Sequence, residues 1–153
     1  MSTVDRVLIV DDDAFLRETL VQLLELEGYH VEEACTGEEA LVKIQAAFYH
    51  LVVIDVKLPD CSGVEILSSV KRLSPRTKKI LITGFPDLES AISSVNERAD
   101  AYIVKPFDPS HLIRKVRELL FEQKRELQFT QKRLLEYIQN RVKELESSLG
   151  GMG

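Results

Sequence analysis

Between His50 and Pro59 the chain reads His-Leu-Val-Val-Ile-Asp-Val-Lys-Leu-Pro. An apolar, largely β-branched run of this length is a short buried strand, and this one delivers a carboxylate, Asp55, to its C-terminal tip. Three other apolar runs also end in polar groups. Arg6 to Val10 runs into Asp11, Asp12 and Asp13; Lys79 to Ile82 runs into Thr83 and Gly84; Ala101 to Val104 runs into Lys105 and Pro106. In an open parallel α/β sheet, ligands bind at the edge formed by the strand C-termini. If these strands are parallel neighbours, three acids, a hydroxyl and an ammonium meet there.

The intervening segments support that arrangement. Asp11 to Asp13 form a turn into a helix over Ala14 to Glu27, where Phe15, Leu16, Leu20, Leu23 and Leu24 recur at helical spacing. Gly28 sits where a helix stops, and Tyr29 to Ala34 is a weaker strand, placed at an edge. Thr36 and Glu39 form a capping box for a helix ending near Phe48. Ser62 and Glu65 form another, for a helix to about Leu73, which Ser74-Pro75 breaks. Pro86 and Asp87 lead into a fourth helix over Leu88 to Glu97. Strands alternating with helices at this spacing predict a doubly wound parallel sheet with crossover helices.

The pattern changes at Asp108. Asp108 can cap, Pro109 suits the first helical position, and no Pro or Gly follows until Gly150. One helix of roughly 40 residues, about 60 Å long, is predicted. Its first turns, with Leu112, Ile113, Val116 and Leu119, should pack on the sheet. Beyond them Leu120, Leu127 and Leu134 repeat every seven, and Leu135, Ile138, Val142, Leu145 and Leu149 alternate by three and four. These are coiled-coil spacings, with a one-residue shift near Leu134 and polar Gln123, Thr130 and Gln131 where apolar residues are wanted. The division predicted is a globular domain over 4–120, a helical extension over 121–149 (a coiled coil or a linker to an output domain) and a flexible end, 150–153.

Charge and composition exclude several classes. The net charge of −5 is uneven: Pro109 onward holds nine Lys/Arg against six Glu, leaving 11 basic and 19 acidic residues before it. No basic cluster is dense enough to predict nucleic-acid binding. Cys35 and Cys61 make neither a disulfide framework nor a metal-ligand set, and reduced thiols fit a cytoplasmic protein. No signal peptide or membrane span is expected.

Carboxylates gathered at one edge repel one another and need a cation. Hard oxygen ligands with retained water suit Mg²⁺, with Asp11, Asp12 and Asp55 as the metal-facing set. A divalent ion beside a carboxylate and a hydroxyl makes a phosphoryl site, in which a carboxylate can be the nucleophile. Lys105 supplies fixed positive charge, and the Thr83 hydroxyl and Gly84 N–H can reach a phosphoryl oxygen.

The motifs Val10-Asp11-Asp12-Asp13, Ile54-Asp55-Val56-Lys57-Leu58-Pro59, Ile82-Thr83-Gly84 and Tyr102-Ile103-Val104-Lys105-Pro106-Phe107, in this order and at these separations, resemble the receiver domain of two-component response regulators. The resemblance covers about residues 4 to 120. It implies a flavodoxin-like five-stranded parallel sheet of order 2-1-3-4-5 with five helices, acting as a signalling switch. It implies that Asp55 accepts a phosphoryl group from a histidine kinase. Mg²⁺ would be bound by Asp12, Asp55 and the Lys57 carbonyl, with Asp11 acting through a metal-bound water. Thr83 and Lys105 would grip the phosphoryl group, and Tyr102 would turn inward as Thr83 moves. That change would reshape the face made by the fourth helix, fifth strand and C-terminal helix; this face or the C-terminal helix would pair two copies. Lys105-Pro106 would be cis. Cys61 and Gly84 depart from the commoner Met and Ala, and Lys57 and Phe85 stand at variable positions.

Bland readings compete at some positions. Asp13 is a helix N-cap rather than a ligand, and His30, His50 and His111 show no ligand spacing. A haloacid-dehalogenase-type phosphohydrolase also combines an Asp nucleophile with Mg²⁺, Thr and Lys. It would need a cap domain and an acid two residues after Asp55, where Lys57 stands. A scaffold in which phosphorylation matters little is the other rival.

Overall fold

The computed structural model describes residues 4–84 and 98–150. Its strands are β1 (Arg6–Val10), β2 (His30–Ala34), β3 (Leu51–Asp55), β4 (Lys78–Thr83) and β5 (Ala101–Val104). All pair in parallel in the order β2-β1-β3-β4-β5, as expected. The helices are α1 (Ala14–Leu26), α2 (Gly37–Ala46), α3 (Gly63–Leu73) and a C-terminal helix (Pro109–Gly150). The helix predicted over Leu88 to Glu97, Phe85 to Asp87 before it, and residues 151–153 lie outside the described residues.

Alternate side chains along the strands enter two cores. Leu8, Val10, Val52, Ile54 and Leu81 pack with Ala40 and Ile44 of α2 and Ile66, Leu67 and Val70 of α3. Val7, Ile9, Leu51, Val53, Ile80, Ile82 and Ile103 pack with Leu20 and Leu24 of α1 and Leu112, Val116, Leu119 and Leu120 of the C-terminal helix. Every residue of β3 is buried, which a parallel sheet covered on both faces requires. The expected packing of the C-terminal helix's first turns is therefore present.

The ends of the elements follow from local chemistry. Asp13 Oδ1 accepts from the Leu16 N–H at 3.2 Å, and Asp108 Oδ1 accepts from the Ser110 N–H at 3.0 Å, satisfying amides that helix starts leave open. Thr36 Oγ1 accepts from the Glu39 N–H at 3.1 Å. The reciprocal Glu39 carboxylate reaches the Cys35 N–H, one residue before the cap. Ser62 Oγ accepts from Val64, not Glu65. After α1, Gly28 takes φ 96°, and the Tyr29 N–H donates back to the Leu24 carbonyl; this left-handed stop favours glycine.

Two sequence expectations are corrected. Phe15 is 82% exposed, because it lies about 180° around the helix from Leu24 at 3.6 residues per turn. Helix α2 ends at Ala46 rather than near Phe48.

The chain divides into two compact units, Met1–Leu120 and Phe121–Gly153. Among the described residues no helix is long and apolar enough to cross a membrane.

Candidate functional site

Parallel register aligns the strand tips. Val10 pairs with Ile54, Asp55 with Ile82 and Thr83 with Val104, so Asp11, Asp55, Thr83 and Lys105 all stand at the C-terminal edge of the sheet. The fold gathers there what the sequence spreads over almost a hundred positions.

Asp55 is 5% exposed. Its Oδ2 meets Lys105 Nζ at 2.5 Å, and its Oδ1 accepts from the Lys57 N–H at 2.8 Å. One carboxylate oxygen thus faces an ammonium and the other a backbone amide. Burial opposes charge on Lys105, but its bond to Asp55 and the negative potential of Asp55, Asp11 and Asp13 outweigh that and raise its pKa. The lysine stays cationic. The Lys105-Pro106 bond is cis.

Asp11 is almost fully buried. Its Oδ1 accepts from the Asp13 N–H at 2.9 Å, while its Oδ2 is buried with no hydrogen-bond partner among the described residues. Burial, followed by repulsion from Asp55 and Asp12, pushes its pKa up to about 6 against the Asp13 N–H and Lys105, which pull it down. An unpartnered buried carboxylate oxygen is costly, and a bound cation would satisfy it. Asp12 is exposed beside it. Among the described residues, no three His, Cys, Asp or Glu side chains form an all-protein metal cage. Mg²⁺ needs none, since it keeps several waters and takes one or two carboxylates. The donors present therefore fit that ion.

Thr83 ends β4 fully buried, and its carbonyl accepts from the Lys105 N–H at 2.8 Å. Gly84 is exposed, and among the described residues a Cβ there would meet nothing within 4 Å. Tyr102 is half-buried against the core between the sheet, α2 and α3, and its hydroxyl accepts from the Ala99 N–H at 3.1 Å.

Three supporting residues escaped the sequence reading. Arg17 is 9% exposed; it donates to the Asp11 carbonyl at 2.8 Å and to Glu33 at 2.7 Å, fixing the acidic turn from below. Gly63 lies so close to β3 that a Cβ would stand 2.1 Å from the Asp55 carbonyl oxygen; its N–H donates to the Val56 carbonyl at 2.7 Å. Asp60 accepts from the Gly37 and Glu38 N–H groups, both at 2.9 Å. These bonds hold its pKa below the usual carboxylate range and tie the loop after Asp55 to the start of α2. A glycine directly after a serine cap was the one available signal for Gly63.

The family model for the response regulator receiver domain matches residues 7–117. The solved structure of a CheY-like response regulator receiver domain protein from Methanospirillum hungatei is 46% identical, with a TM-score of 0.76, covering 81% of this chain and 99% of that one. The response regulator TrrA of Thermotoga maritima, solved in complex with Mg²⁺-BeF, is 38% identical with a TM-score of 0.69, covering 76% and 99%. Among curated relatives, the transcriptional regulatory protein ResD of Bacillus subtilis is 33% identical over 115 residues, 75% of this chain and 48% of that protein. The chain spans about half the length, or less, of the first curated relatives it matches. With its sheet order, its strand-edge acids and this match in hand, the chain belongs to the response regulator receiver domain family.

Proposed function

We propose that the chain is a phosphorylation-controlled switch whose phosphoacceptor is Asp55. The observation that supports this best is the state of that carboxylate: buried, oriented by the Lys57 amide, and held against a cationic lysine beside Asp11. A carboxylate oxygen of Asp55 attacks the phosphorus of a phosphohistidine on a histidine kinase. The P–N bond breaks, its electron pair stays on the imidazole, and an acyl phosphate forms. Lys105 then faces a phosphoryl oxygen in place of the Asp55 oxygen it now holds. The Thr83 hydroxyl and the Gly84 N–H supply further donors to the phosphoryl group. Asp12, Asp55 and the Lys57 carbonyl, with Asp11 through a water, would hold Mg²⁺, which supplies charge neutralisation for phosphoryl transfer.

Phosphorylation changes the hydrogen-bonding demand on Thr83, and Tyr102 follows it from the adjoining strand. The output is control of self-association, or of a downstream partner, through the C-terminal helix or the β5 face. The chain itself makes no direct contact with nucleic acid on this reading; the transcriptional role in ResD's name belongs to that longer protein. Residues 4–120 act as the receiver and 121–149 as the extension that carries its state onward, in a cytoplasmic protein.

The test is intact mass spectrometry after incubation with acetyl phosphate and Mg²⁺. The wild type should gain one phosphoryl group, and Asp55→Asn should gain none. Equal uptake by both proteins would reject Asp55 as the acceptor. Turnover of generic phosphate esters would favour a phosphohydrolase instead.

A further inference from the structure

From Phe121 to Gly150 every residue is exposed except Gln123, which is half-buried. A helix in that state lacks the packing from which helices usually draw their stability. Its apolar residues nonetheless keep one line. Leu127, Leu134, Ile138, Val142, Leu145 and Leu149 are 41–71% exposed. With Gln131 they follow steps of four, three and four. At 3.6 residues per turn, all seven stay within about 40° of Ile138 around the helix. This is an 11-residue repeat, so the shift near Leu134 that a seven-residue reading requires disappears. Leu135 falls to the flank, about 60° away. Helices paired on such a repeat run nearly straight with a slight right-handed supercoil.

Gln131 decides what covers the stripe. In a parallel, in-register pair it faces Gln131 of the second copy, and two amides can donate to and accept from each other. Every other layer from Leu127 to Leu149 is then apolar on apolar. An antiparallel pair centred on Ile138 sets Gln131 against Leu145 twice and leaves both amides facing hydrocarbon. A polar residue at one core position is an established means of setting register. The flanking charges agree. Arg141 and Glu146 lie on opposite sides of the stripe, five residues apart, so a parallel pair brings Arg141 of one copy toward Glu146 of the other. Within its own helix Arg141 also meets Glu144, at 2.9 Å.

We propose that a second copy of this chain covers this stripe in parallel and in register, with Gln131 facing Gln131. The proposal deepens the self-association put forward above and rests on it.

The experiment uses the full chain with Cys35→Ser and Cys61→Ser, adding one cysteine at a time as Leu127→Cys, Gln128→Cys or Leu145→Cys. Mass is read by light scattering and crosslinking by oxidation with diamide. The expected result is a dimer at micromolar concentration that crosslinks through positions 127 and 145 but not 128. Ile138→Asp should weaken the dimer about 100-fold while leaving phosphoryl uptake by Asp55 intact. A monomer at every concentration, with and without phosphoryl group, would overturn the self-association itself. A dimer that fails to crosslink at 145 and survives Ile138→Asp would overturn the stripe alone and place the interface elsewhere. Crosslinking at 128 in preference to 127 would overturn the 11-residue register in favour of an unbroken heptad phased on Leu135, Val142 and Leu149.

Discussion

Asp11 holds its charge at a cost. Its pKa of about 6 lies above the ordinary 3.8, so between those values the folded protein keeps a proton that the unfolded chain has released. The contribution of this group to stability is full below pH 4, falls as pH rises toward 6, and stays low above. The difference amounts to at most about 3 kcal/mol, taking 1.36 kcal/mol per pH unit. Asp11→Asn should therefore raise the metal-free melting temperature at pH 7.5 and flatten its decline between pH 4 and 6. Mg²⁺ should stabilise the wild type more at pH 7.5 than at pH 5, where protons compete for the carboxylate, and should stabilise Asp11→Asn far less. Thermal unfolding across pH with and without Mg²⁺ measures all three. Asp11, Asp55 and Lys105 were legible in the sequence because each directly follows or closes an apolar strand. Arg17 was not: its partners, the Asp11 carbonyl and Glu33, become neighbours only when α1 docks beside β2.

At the scale of elements, local rules carried far. Strands, caps and the glycine stop after α1 were all written in residue order, because strand burial and helix capping act over a few positions. What failed were the contacts between elements. Helical spacing alone did not say which face of α1 the sheet covers, so Phe15 was put on the wrong side. Gly63 shows the same limit: only the docked position of α3 shows that its first residue touches the backbone of Asp55. A methyl group there has no room, whereas one at Gly84 meets nothing within 4 Å among the described residues. Gly63→Ala should cost about 2 kcal/mol and slow phosphoryl uptake, since the displaced backbone is that of the acceptor. Gly84→Ala should fall within about 0.5 kcal/mol of wild type. Chemical denaturation paired with intact-mass time courses separates the two variants.

Across the whole molecule, the sheet order and the division of charge were readable from the sequence, through the motif resemblance and by counting. The length of the C-terminal helix was readable too, because nothing between Pro109 and Gly150 interrupts it. The exposure of the helix past Leu120 has a practical corollary. That stretch carries Lys124, Arg125, Lys132, Arg133, Arg141 and Lys143, all exposed, and trypsin needs only local fraying to reach such bonds. Just before it, Leu112, Val116, Leu119 and Leu120 of the same helix are buried in a core, whose opening requires far more unfolding. Brief digestion should therefore trim the chain to a resistant fragment ending near Lys124 or Arg125, and the pace of that trimming becomes a clock. Wherever another helix lies along the stripe, fraying is suppressed and the clock slows. A protease and a gel would then report, without any label, what phosphorylating Asp55 does at the far end of the chain.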